Sequence, residues 1–167
     1  LRRWWRSAIS QAARISSADH SEVPQYSARP EATMSDIAHT VSEMLFGAME
    51  DLSLGDPWHL ATDIGPVIDA EAQAGIRAYV DAARAEGRVL KELKAPGQGT
   101  FIAPAVLSVN GIQDMPREIF GPVLSVIPVD GYGEAMLALN QTRYGLSSSI
   151  FTRDVNVAFR AMRDFET

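Results

Sequence analysis

The chain contains no cysteine among its 167 residues. That absence excludes disulfides, thiolate metal sites and any thiol nucleophile. Histidine is scarce: His20, His39 and His59 lie far apart, no two are spaced to put ligands on one helical face, and no metal site is assigned. No apolar run approaches the roughly 18 to 20 residues of a membrane helix, so no membrane partner is expected. Basic residues are outnumbered, 15 Lys and Arg against 21 Asp and Glu, for a formal net charge of -6. Nucleic acid is therefore set aside as a partner, since binding phosphates needs a concentrated excess of cations.

What remains is a composition, 46% hydrophobic and 22% charged, suited to a globular chain the size of one ordinary domain. Charge is unevenly divided. Residues 1–33 carry five Arg against three acids, and residues 34–167 carry ten Lys and Arg against eighteen. The opening LRRWWRSAISQAARISS has the composition of a transit peptide or a membrane-surface helix, but the Ser- and Pro-rich stretch after it reads as linker. Residues 1–34 are accordingly expected to be an irregular or unrelated segment, with the ordered domain spanning 35–167.

Order is expected from Ser35, a candidate N-cap. It precedes a helix whose apolar face comprises Ile37, Val41, Met44, Leu45, Ala48, Met49 and Leu52. A second helix runs from Asp69 to Glu86 on Ala72, Ile76, Tyr79, Val80 and Ala83, stopped by Gly87. RVLKEL reads as a strand, and FIAPAVLSV as an extended segment whose Pro104 favours an edge or an irregular path. PVLSVIPV reads as a buried strand, GEAMLALNQT as a short helix and GLSSSIFT as a strand. Asp154 caps a last helix carrying Val155, Ala158, Phe159, Met162 and Phe165. Strands alternating with helices predict an α/β fold with a largely parallel sheet and flanking helices.

The search for chemistry narrows quickly. GYGEAM follows a strand and precedes a helix, but Met136 stands where a dinucleotide fingerprint needs its third glycine, so Gly131 and Gly133 read as an ordinary turn. Ser147, Ser148 and Ser149 lack a nucleophile-elbow pattern; on a strand, the first and third would share one face. No catalytic residue is assigned. REIFGPVLSV holds a carboxylate, Glu118, and a ring, Phe120, just before the Gly121–Pro122 corner. Such a pair suits a ribose, whose hydroxyls donate to the acid, beside a flat heterocycle supported by the ring. The same residues also fit a solvated loop acid with Phe120 turned into the core.

EIFGPV, Glu118 to Val123, followed by Asn140 and the run YGLSSSIFTRD to Asp154, resembles the C-terminal part of the catalytic domain of the NAD(P)-dependent aldehyde dehydrogenase superfamily. Upstream, LSLGDPWHLATDIGPVIDAEAQAGI and GTFIAPAVL resemble the L-glutamate γ-semialdehyde (1-pyrroline-5-carboxylate) dehydrogenase part of bifunctional proline-catabolic enzymes. The resemblance covers about residues 35–167 and implies a partial, incomplete catalytic domain. It implies that Glu118 hydrogen-bonds the nicotinamide ribose and that Phe120 lies against the nicotinamide. Asn140, Tyr144, Gly145 and Leu146 fall in the scaffold that follows, with no chemical role assigned.

It also implies NAD or NADP as cofactor of the complete parent enzyme, an aldehyde as substrate, and a homo-oligomer or a full-length relative as protein partner. In the implied mechanism a cysteine thiolate attacks the aldehyde, hydride passes to NAD(P), and a glutamate-activated water releases the acid. With no cysteine, and with the family's glycine-rich cofactor domain outside the matched region, this chain alone is expected to be inactive and to bind the cofactor little. A cytoplasmic location is the expectation for a cysteine-free chain. The alternative function is a non-catalytic interaction module docking to a full-length relative.

Overall fold

The computed structural model describes residues 34–115 and 117–166. The expectations for residues 1–33, including the basic tryptophan-bearing stretch and His20, lie outside the described residues.

Helix α1 (Met34–Glu50) already includes Ser35, the residue expected just before it. Sequence signals for a helix start carry a margin of a residue or two. Met49 is the buried anchor of this helix, whereas Met44 is exposed. Lys91 of the first strand pairs with Glu50 at its end, which lowers the Glu50 carboxyl below its ordinary range. Helix α2 (Ala70–Ala85) is capped by Asp69, whose carboxylate accepts from the Ala72 N–H at 2.8 Å. Gly87, at φ 71, reverses the chain after it. Ile76, Val80 and Ala83 face inward, as their spacing predicts.

The sheet has the order β1 (Val89–Glu92), β2 (Ala105–Ser108), β3 (Val123–Val126). The α/β class stands, with a small mixed sheet: β2 and β3 are parallel, whereas β1 and β2 are antiparallel in a register that places Val89 opposite Leu107. The antiparallel pairing follows from the helix-free connection between β1 and β2, which reverses the chain without a crossover. Contrary to the reading of Pro104 as an edge signal, β2 is the central strand. Pro104 lies one residue before it, where no ladder N–H is required, and its carbonyl accepts from the Leu93 N–H at 3.0 Å.

Two clusters form the interior. Ile76, Val80 and Ala83 of α2 close over Ile102, Ala105, Leu107 and Val123. The second cluster joins Tyr132, Ala135 and Met136 of helix α3 (Tyr132–Asn140) to Ala161 of helix α4 (Val155–Asp164). Asp154 caps α4 as expected, accepting from the Asn156 N–H at 2.8 Å.

Two expectations here need correcting. Residues 145–152 form no strand. Their alternating pattern sets which side chains turn inward, as at Ser147, Ser148 and Ser149, but a strand also needs a neighbour to bond, and none pairs with them among the described residues. The inward face of α4 is only partly the one predicted, Phe165 turning inward as expected while Val155, Phe159 and Met162 do not. Ala161 is fully buried with Val157 and Phe165 packed beside it, whereas Val155, Phe159 and Met162 are exposed. Helix α4 carries two apolar stripes, and the one containing the small Ala161 is the one that joins the second cluster.

Candidate functional site

The site is the loop entering β3. Gly121 donates its N–H to the Ile119 carbonyl at 2.9 Å, Val123 donates to the Gly121 carbonyl at 2.8 Å, and the Pro122 carbonyl accepts from the Ala105 N–H at 3.0 Å. The corner is therefore tied to the central strand. Gly121 does not adopt the left-handed backbone region; it serves close approach, since a β-carbon there would lie 2.7 Å from Cδ1 of the buried Ile76 and push that methyl aside. Arg117, at the start of the loop, lays its guanidinium beside Gly75 of α2.

Along this loop the side chains alternate. Ile119 packs against the first cluster, while Glu118 and Phe120 on either side of it face outward. Phe120 is 85% exposed. A core role for its ring is thus overturned, and leaving the ring in solvent forgoes about 1.5–3 kcal/mol of burial. Glu118 is held from below: its backbone N–H donates to the Tyr144 hydroxyl at 2.9 Å.

Behind Glu118 lies a largely apolar cavity of about 380 Å³ between β3, α3 and the 142–147 segment, with Ile119, Val123, Leu139 and Tyr144 in its wall. Phe120 is outside this lining, so the two predicted site residues share a loop but not the cavity.

The other sequence candidates separate from this loop. Gly131 and Gly133 open α3, where the Asp130 N–H donates to the Glu134 carboxylate at 2.7 Å. A side chain already supplies the anion at that helix start, which opposes a phosphate there. Ser147 reaches the cavity wall, and the Ser148 hydroxyl is buried without a hydrogen-bond partner among the described residues. His39 lies beside Glu43 on exposed α1, and no group of three or more metal-binding side chains gathers among the described residues. No helix among the described residues is long and apolar enough to cross a membrane.

A sugar and a flat heterocycle fit the outward pair: Glu118 offers two acceptor oxygens, Phe120 offers a ring face, and both stand on a braced loop. Tyr144 was placed in the scaffold by the sequence, but its hydrogen bond to Glu118 was not foreseen, since 26 residues separate the two and no spacing rule connects them.

Comparison with known proteins places the whole described region in one family. The model of the aldehyde dehydrogenase family matches residues 32–167. The bifunctional protein PutA of Salmonella typhimurium is 37% identical over 128 residues, 71% of this chain and 10% of that protein. Betaine aldehyde dehydrogenase 1 of Rhizobium meliloti is 35% identical over 118 residues, 66% of this chain and 24% of that protein. Among solved structures, 1-pyrroline-5-carboxylate dehydrogenase from Thermus with bound NAD superposes with a TM-score of 0.70 at 34% identity, covering 78% of this chain and 26% of that one. PutA of Bradyrhizobium japonicum superposes with a TM-score of 0.74 at 30% identity, covering 79% of this chain and 14% of that one. The chain thus spans about a tenth of the PutA relative and about a quarter of the betaine aldehyde dehydrogenase.

Proposed function

The chain belongs to the aldehyde dehydrogenase family, and from that premise we propose that it carries the nicotinamide-facing loop of an NAD(P)-dependent oxidation of an aldehyde to a carboxylate. The proposed substrate of the parent reaction is L-glutamate γ-semialdehyde, supported by the PutA and 1-pyrroline-5-carboxylate dehydrogenase relatives. The bound dinucleotide supplies the hydride acceptor. In this chain Glu118 accepts from ribose hydroxyls and Phe120 supports the nicotinamide ring. Gly121 and Pro122 keep both on the outer side of the loop. The carrying observation is their common outward orientation on a corner tied to Ile76 and Ala105.

Residues 35–167 are assigned to a partial catalytic domain, and the family match itself begins at residue 32. The cysteine-free composition supports a cytoplasmic setting. Without a cysteine the chain has no thiolate to attack the aldehyde, and a serine hydroxyl, with a far higher pKa, is a poor replacement. Purified chain supplied with L-glutamate γ-semialdehyde and NAD is expected to form no NADH. Steady NADH formation that scales with chain concentration would contradict the assignment.

A second reading, a non-catalytic module that docks to a full-length relative or to another copy, is favoured by one observation. Val155, Phe159 and Met162 form an exposed apolar stripe along α4, with Leu146 and Phe151 exposed on the segment before it.

A further inference from the structure

Tyr144 owes its place to α3. After that helix ends, the Thr142 N–H donates to the Leu139 carbonyl at 3.4 Å, and the Tyr144 N–H donates to the Thr142 hydroxyl at 3.2 Å. Helix α3 is itself fixed through Tyr132, Ala135 and Met136 in the second cluster. The tyrosine thus stands at the end of a rigid element. From there its hydroxyl reaches across 26 residues of sequence to accept the Glu118 N–H at 2.9 Å.

The far side of the loop is braced differently. Gly121 rests on Ile76 of α2, and two successive backbone turns lead into β3. The earliest of those contacts starts at the Ile119 carbonyl, so the peptide plane that leads into Glu118 lies before all of them. A residue on that side must hold the Glu118 backbone if its carboxylate is to face a ligand in one orientation. We propose that Tyr144 is a positioning residue, its phenol oxygen fixing the Glu118 peptide so that the Glu118 carboxylate and the Phe120 ring are presented together.

Tyr144 is 39% exposed and the loop can relax around a phenylalanine ring of the same shape, so the oxygen alone is removable. The ligand in this proposal is the nicotinamide–ribose moiety, and to that extent the proposal rests on the functional reading above. The positioning claim itself is tested without the ligand.

The experiment compares wild type and Tyr144→Phe of the whole chain by NMR amide exchange, with thermal unfolding as a control and NAD titration as a second readout. The expected result is faster exchange at Glu118, by several-fold up to about tenfold, the effect of losing one net hydrogen bond. Exchange at the core residues Val106 and Leu107 and the unfolding temperature stay as in wild type. NAD, used as the probe, is expected to bind Tyr144→Phe several-fold more weakly than wild type. Unchanged exchange at Glu118 would overturn the proposal, as would faster exchange accompanied by wild-type NAD affinity. If wild type binds no NAD, the ligand reading fails; the Glu118 exchange rate and amide shift then decide the positioning claim on their own.

Discussion

Gly121 rests against Ile76 so closely that a β-carbon on the glycine would come within 2.7 Å of the isoleucine Cδ1. This contact seats the loop bearing Glu118 and Phe120 on α2. Gly121→Ala is expected to cost about 1 kcal/mol, the low end for overpacking, because the terminal methyl of Ile76 yields before backbone does. Gly121→Val should cost about 3 kcal/mol. Chemical denaturation of both variants gives the comparison, and equal stability of the two would remove the close-contact account.

Leu107 is fully buried at the centre of β2, under α2 and between the neighbouring strands. Leu107→Ala should lose about 2–5 kcal/mol, combining lost transfer energy with the cavity left behind. Leu146, fully exposed, provides the contrast: Leu146→Ala should stay within about 0.5 kcal/mol of wild type. Urea unfolding of the two variants side by side distinguishes core from surface.

The Tyr132 hydroxyl donates to the Asp164 carboxylate at 2.6 Å, with the Arg160 guanidinium 4.2 Å from the centre of its ring. Burial, then the Asp164 hydrogen bond and charge, push the phenol up to about 12, against the opposing pull of Arg160 and Arg163. The unfolded phenol titrates near 10. The folded state therefore holds this proton more tightly. Its stabilising effect is complete below about pH 10 and is lost as pH rises from about 10 to about 12. Wild type should lose more stability across that window than Tyr132→Phe, by on the order of 2 kcal/mol. Denaturation midpoints at stepped alkaline pH measure the difference, and parallel curves would refute it.

The exposed stripe of α4 makes a separate prediction. Phe159→Glu with Met162→Lys should leave helix content and unfolding unchanged, since both side chains are more than half exposed. Concentration-dependent association, followed by sedimentation, should fall in the double variant. Association unchanged by the substitutions would place any docking surface elsewhere.

Legibility in the sequence followed physical locality. Asp69, Gly87 and Asp154 marked helix ends correctly because caps and reversals depend on a few adjacent residues. Ile76, Val80 and Ala83 gave the buried face of α2 because one stripe dominates that helix. Helix α4 has two competing stripes, and only its packing into the second cluster selects the one with Ala161. Residues 145–152 carry a strand pattern without a paired neighbour, a fact that lies outside their own sequence. At the candidate site, Glu118 and Phe120 were legible as a pair on a stiff corner. The tie from Glu118 to Tyr144 was not, because it is made by the path of α3 through space.

The central claim is that Glu118 and Phe120 meet the nicotinamide–ribose end of a dinucleotide, and saturation-transfer NMR of NAD with the purified chain tests it most directly. Weak binding, with a Kd on the order of 1 mM, is expected from so few contacts. Transfer should be strongest to the nicotinamide and its ribose protons, weaker to adenine, and largely lost in the Glu118→Gln, Phe120→Ala double variant. Transfer that favours adenine, that survives the double substitution, or that is absent from folded wild type would contradict the account.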